Sequence, residues 1–167
     1  GFLVKSGASP ENIWKDFKNF IPVIAESIKF YVDNNEEKKA IRILEGSWNN
    51  LLYQGVVEQF FSSKKEDVKL YLRRYKLLKK SLLKFIKHDE TKLAIAYGAY
   101  KASLWGETKS YLERIKVEDW DERIIDLWKK LEEKSNRIII PNLPKNPIKA
   151  PQWNCVCGKN YLKWQLV

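Results

Sequence analysis

Residues 91–115 read TKLAIAYGAYKASLWGETKSYLERI, and two amphipathic segments meet there across a small break. The first carries Leu93, Ala94, Ala96, Tyr97, Ala99 and Tyr100. The second carries Leu104, Trp105, Thr108, Tyr111, Leu112 and Ile115. Apolar residues three or four apart lie on one side of a helix. Small residues on the first segment admit a close neighbour, so the stretch predicts a helical hairpin within a stack of hairpins.

The same pattern extends outward. Ser9-Pro10-Glu11 is a helix start, followed at helical spacing by Ile13, Trp14, Phe17, Phe20 and Ile21. Pro22 opens a new helix over about 22–33, with Val23, Ile24, Ser27, Ile28, Tyr31 and Val32 on its buried side. Asp33-Asn34-Asn35 predicts a turn, and Glu36 to about Trp48 a helix burying Ala40, Ile41, Ile43, Leu44 and Trp48. A helix is expected over 50–61, one long helix over 64–86, and a last one over about 119–134 with Asp119 as N-cap. Val68, Tyr71, Leu72, Tyr75, Leu78, Leu82 and Phe85 mark the core side of the long helix. RIIIPNLPKNPIKAP, from 137, is too rich in proline for a helix and reads as an extended strap, with Ile138, Ile139 and Ile140 in a groove of the last helices.

Ala40 and Thr108 occupy the same place in their hairpins and lie 68 positions apart, twice 34. That is two periods of a tetratricopeptide repeat. Trp105, Thr108, Leu112 and Ile115 follow its large and small positions. Residues 50–86 form a degenerate middle unit, with Arg74 where a small residue is expected. The chain thus predicts an all-α, right-handed solenoid of about seven helices over 1–135, and a strap and tail over 136–167. The concave side comes from the first helix of each hairpin, which makes Lys92, Ile95, Tyr97, Tyr100 and Phe30 the expected partner-binding residues.

RILEGSW (42–48), ASLWGETKSYLERI, the proline-rich strap and APQWNCVCG together resemble the bacterial HemY family over about residues 20–165. The resemblance implies a membrane-anchored tetratricopeptide protein on the cytoplasmic side of the inner membrane, linked to haem and porphyrin metabolism. Members of that family carry W-x-C-x-x-C-G and a second Cys pair. Here Cys155 and Cys157 are spaced C-x-C, and Val167 ends the chain where the second pair is expected. The resemblance implies a zinc ribbon in a longer form of the chain. A tetrahedral zinc site needs four ligands, so two thiols alone predict no cofactor here.

The chain has 167 residues, 31% of them charged, a net charge of +10, and no Met. We expect a piece of a longer protein, soluble in itself, with no apolar run of the roughly 20 residues a membrane helix needs. Two late cysteines are no disulfide framework. Charge is uneven: residues 64–87 hold ten basic and two acidic residues, and residues 134–167 hold six basic and none acidic. Lys65, Lys69, Arg73, Lys76, Lys80, Lys84 and Lys87 recur every three or four positions as a basic stripe. A stripe of this kind meets water, an acidic protein, anionic headgroups or nucleic acid, the last being the weaker use without a recognised nucleic-acid motif.

No catalytic constellation is present. His88, the one histidine, reads as a helix-end cap and has no nucleophile paired with it in sequence. Glu118, Asp119, Asp121 and Glu122 sit at a helix start, where acids are at home. Gly98, Gly106 and Gly158 stand apart and form no phosphate loop. Trp14, Trp48, Trp105 and Trp128 read as packing residues. The expected function is non-catalytic: a groove for a protein or peptide partner, with binding to an anionic membrane or nucleic acid through the stripe as the alternative.

Overall fold

Pro22 has no N–H to satisfy, so it fits the first turn of a helix and fixes where the first one begins. The computed structural model describes residues 20–151 and the backbone of 153–154 and 160–161. The expected helix from Ser9-Pro10 onward, with Trp14, and Cys155 and Cys157 lie outside the described residues. The rest is all-α. Seven α-helices are described: α1 (Ile21–Asp33), α2 (Glu37–Leu51), α3 (Val57–Phe60), α4 (Val68–Leu82), α5 (Asp89–Lys101), α6 (Trp105–Glu113) and α7 (Glu122–Lys134). The only described strands are Trp153–Asn154 and Asn160–Tyr161, a two-residue antiparallel ladder.

Two hairpins close on the same backbone motif. Asn35 after α1 and Ser103 after α5 are left-handed, with φ of 59° and 61°. Glu36 N bonds Tyr31 O and Asn35 N bonds Val32 O; Leu104 N bonds Ala99 O and Ser103 N bonds Tyr100 O. These are two Schellman turns, which satisfy the last carbonyls of a helix. They lie 68 positions apart, the interval that separates Ala40 from Thr108, and both of those residues are buried.

Three boundaries differ from expectation. The helix expected over 50–61 is broken: α2 runs to Leu51, Leu52 turns left-handed at φ 41°, a 3₁₀ turn covers Gln54–Val56, and α3 is only four residues. The long helix does not begin at 64. Asp67 accepts a hydrogen bond from Lys69 N at 3.0 Å and caps α4, while Ser63 and Lys65 close a turn before it. Its last turn is a 3₁₀ segment, Leu83–Phe85. Asp121, not Asp119, caps α7, accepting from Arg123 N and Ile124 N; Asp119 lies in a preceding 3₁₀ turn, Val117–Asp119.

Helices pack on their successors or on the helix after next. α1 lies on α2 and α5 on α6; α3 touches α1 and α2, α4 touches α2 and α5, and α7 touches α5 and α6. One apolar cluster runs from Ile21 to Leu131. The expected core sides of α1 and α2 are buried throughout, and α7 buries Ile124, Ile125, Leu127, Trp128 and Leu131. Val68, expected in the core, is 55% exposed, because the late start of α4 leaves it in an open first turn. Gly98 admits a close neighbour of its own: a Cβ there would meet Leu78 and Tyr75 of α4 and Phe61.

The strap crosses the last helices. Ile138, Ile140 and Leu143 pack on the core, whereas Ile139 is 83% exposed and lies in no groove. Successive residues of extended chain point to opposite sides, which explains the alternation. Ile148 forms a parallel bridge with Asp121, and Ala150 is buried. Among the described residues no helix is long and apolar enough to cross a membrane.

Candidate functional site: a cleft between α3, α5 and α7

A cleft of about 370 Å³ opens between the 54–58 segment, α5, α7 and Ala150 of the strap. Its walls are Tyr53, Gln54, Gly55 and Glu58 on one side and Glu122, Arg123, Asp126, Leu127 and Lys130 on the other, with Leu93, Tyr97 and Tyr100 between them. A second cleft of about 280 Å³ shares Tyr100 and Lys130, and continues over Tyr71, Lys101, Ser103 and Trp105. Tyr97 packs edge-on against Phe61 with ring centres 6.0 Å apart, and Tyr100 leans on Trp105 at 5.5 Å. Both tyrosines are therefore held at the surface by rings beneath them.

Arg123 is the fixed point of the site. Its guanidinium donates to both carboxylate oxygens of Glu90, at 3.0 and 2.6 Å, and to Asp121 at 2.7 Å. Glu90 also accepts from Gln54 N at 2.8 Å, so one carboxylate joins the 54–56 turn, α5 and α7. Burial works against the Arg123 charge, but the bonds to Glu90 and Asp121 outweigh it and hold the group more firmly protonated than usual. Lys130 is held charged mainly by its hydrogen bond to Asp126, at 2.9 Å. Burial pushes the Tyr97 hydroxyl up, and the Glu58 charge adds to that. Burial also raises Tyr100, with Glu133, Asp126 and Glu66 adding and Lys130 opposing. These phenols stay neutral at physiological pH and offer hydrogen bonds and ring faces, not nucleophiles.

Of the five residues expected in the groove, Tyr97 and Tyr100 line the cleft. Ile95 is a correction: it is fully buried, because it sits on the inner side of α5. Lys92 pairs with Asp89 at 3.1 Å, and Phe30 is exposed on α1; neither lines the cleft. The walls from α3 and α7 escaped the sequence reading. Register carries a signal for them: Arg123, Asp126 and Lys130 stand 33 positions after Glu90, Leu93 and Tyr97.

All seven stripe residues are exposed, but they do not form one unopposed helix face. Lys65 precedes α4 and Lys87 follows it. Arg73 donates to both oxygens of Glu37, at 3.0 and 2.8 Å, and Lys84 pairs with Glu45 at 2.5 Å. Behind the stripe, Arg74 is 3% exposed and bonds Glu37 and the carbonyls of Phe60 and Ser62. The residue that breaks the repeat pattern is thus a buried clasp between α2, α3 and α4. His88 sits at the N-cap position of α5 without a side-chain cap bond, not at the C-terminal end of a helix. Among the described residues, no group of three or more His, Cys, Asp or Glu is arranged to hold a metal ion. Compared with known proteins, the chain matches no family model, no curated protein and no solved structure.

Proposed function

We propose that this chain is a non-catalytic interaction scaffold, a right-handed solenoid of tetratricopeptide type that presents the cleft to a protein or peptide partner. The observation that carries the reading is a cleft walled by residues one period apart on successive first helices. Polar contacts between units support the period: Glu37–Arg73 and Gln54–Glu90 span 36 positions, Glu90–Arg123 spans 33, and Tyr75–Glu107 spans 32. Lys84–Glu45 at 39 and Lys79–Glu107 at 28 scatter around them. The two Schellman turns, two periods apart, add support independent of side chains. The resemblance to HemY proteins extends the proposal to a membrane-tethered protein on the cytoplasmic side of a bacterial inner membrane, linked to porphyrin handling.

The test is selection from an unbiased displayed peptide library, followed by titration against Tyr97→Ala and Tyr100→Ala with folding checked by circular dichroism. Selected peptides are expected to lose at least about tenfold in affinity. Selected binding indifferent to both tyrosines, or turnover abolished by point mutation, sinks the scaffold reading. The alternative is favoured by the stripe, where Lys69, Lys76 and Lys80 are exposed on α4 and form no ion pair among the described residues. It predicts that anionic vesicles or duplex DNA bind steeply less with salt, and that Lys69→Glu with Lys76→Glu and Lys80→Glu abolishes binding.

A further inference from the structure

We infer that the α3–α5–α7 cleft takes an extended peptide that carries Lys or Arg next to an apolar residue. This rests on the scaffold reading and narrows it to one chemistry. The chain as a whole is at +10, yet this cleft is locally acidic. Glu58, Glu122 and Asp126 line it, and Glu90 and Asp121 lie directly behind Arg123. Against five carboxylates stand two cations. Arg123 is committed to Glu90 and Asp121, and Lys130 to Asp126.

The acid continues past the cleft. A smaller adjoining hollow of about 180 Å³ shares Leu93 and Arg123 with it and is walled by Asp89, Glu90, Asp119 and Asp121. The chain's own strap already enters that hollow in extended form: Ile148 bridges Asp121, and Lys149 lines the hollow beside Pro151. A basic, extended segment therefore has a worked example at one end of the surface. The main cleft offers acids of its own, Glu58, Glu122 and Asp126, together with Leu93 and the Tyr97 and Tyr100 rings, which suit an aliphatic side chain and the face-on approach of a cation. Acidic and aromatic groups arranged this way select a positive ligand against the repulsion of a positive chain, which excludes weakly basic strangers.

The experiment uses the full chain and three labelled peptides of about ten residues, long enough for about 33 Å of extended chain. Each alternates Leu with Lys, Glu or Gln. The Lys peptide is expected to bind at least about tenfold tighter than the other two. Glu122 and Asp126 are both exposed, so Glu122→Lys with Asp126→Lys should fold. It should invert the order and favour the Glu peptide. Tyr100→Ala should weaken whichever peptide binds. If the Glu or Gln peptide binds the wild type best and Tyr100→Ala weakens it, the scaffold stands and the cationic assignment is overturned. If the Lys peptide binds but the double reversal leaves it unchanged, it sits elsewhere and the assignment is likewise overturned. If no peptide depends on Tyr100, the scaffold reading itself fails.

Discussion

Glu37 and Arg74 show how a buried charge is tolerated in this chain. Burial alone would push the Glu37 carboxyl up; hydrogen bonds from Arg73 and Arg74 outweigh it and hold it below the ordinary 4.5. A depressed native value stabilises the fold above 4.5, and that contribution drains as pH falls toward the native value. The stability gap between wild type and Glu37→Gln, followed by urea midpoint, should therefore narrow from about pH 7 to about pH 3 and stay constant toward alkaline pH. Arg74→Ala should cost about 2–3 kcal/mol at neutral pH. It strands two carbonyls and half of the Glu37 pairing, while Arg73 remains as a partner. Two glycines make a matched pair. At Gly98 a Cβ would lie 2.9 Å from Leu78 and 3.0 Å from Phe61, whereas at Gly106 nothing lies within 4 Å. Both are helical, so replacing either by alanine gains helix propensity. Gly106→Ala should raise stability by about 0.5 kcal/mol. Gly98→Ala should lower it by about 1 kcal/mol, since overpacking of a buried contact exceeds the propensity gain.

At the scale of elements, the sequence is legible where periodicity and caps agree. The 91–115 hairpin, α1 and α2 follow their apolar spacing, and Asn35 announces its own turn. The 50–61 segment misleads because LLYQGVVEQFF has helical apolar spacing, but its break is made by contacts far along the chain. Gln54 N is taken by Glu90, and Trp48 Nε1 donates to Thr91 at 2.8 Å. No local pattern encodes either bond. Half of the cleft was hidden for the same reason: its acids on α7 look like ordinary solvent-facing residues until α5 is placed beside them. Ser103, like Leu52, is a turn residue whose identity disagrees with its conformation. It is exposed at φ 61°, where glycine sits at no steric cost. Ser103→Gly should raise stability by about 0.5–1 kcal/mol, and Ser103→Val should lower it by about 1 kcal/mol or more. Thermal melts of the two variants check both signs.

At the scale of the molecule, the question is whether stacked pairs unfold together. On the proposed solenoid reading, stability is a sum of unit terms and neighbour terms, so the weakest junction sets cooperativity. The apolar cluster is continuous, yet its middle is the least regular part: α3 is one turn long, and α4 begins after a seven-residue connection, 61–67. Arg74 spans that place, tying α2 through Glu37 and the end of α3 through Phe60 and Ser62. Losing it weakens a junction, whereas truncating buried Leu131 in α7 weakens the last described unit. The two changes should therefore differ in kind even where they are close in size. Leu131→Ala should cost about 2–4 kcal/mol with a coincident shift of helix and tryptophan signals and little change in urea slope. Arg74→Ala should lower the slope and separate the two signals, because units on either side of the junction then melt apart while Trp48 lies before it and Trp105 and Trp128 after it. Coincident transitions with unchanged slope in Arg74→Ala would show that the apolar cluster alone couples the units and that the polar clasp adds only local stability.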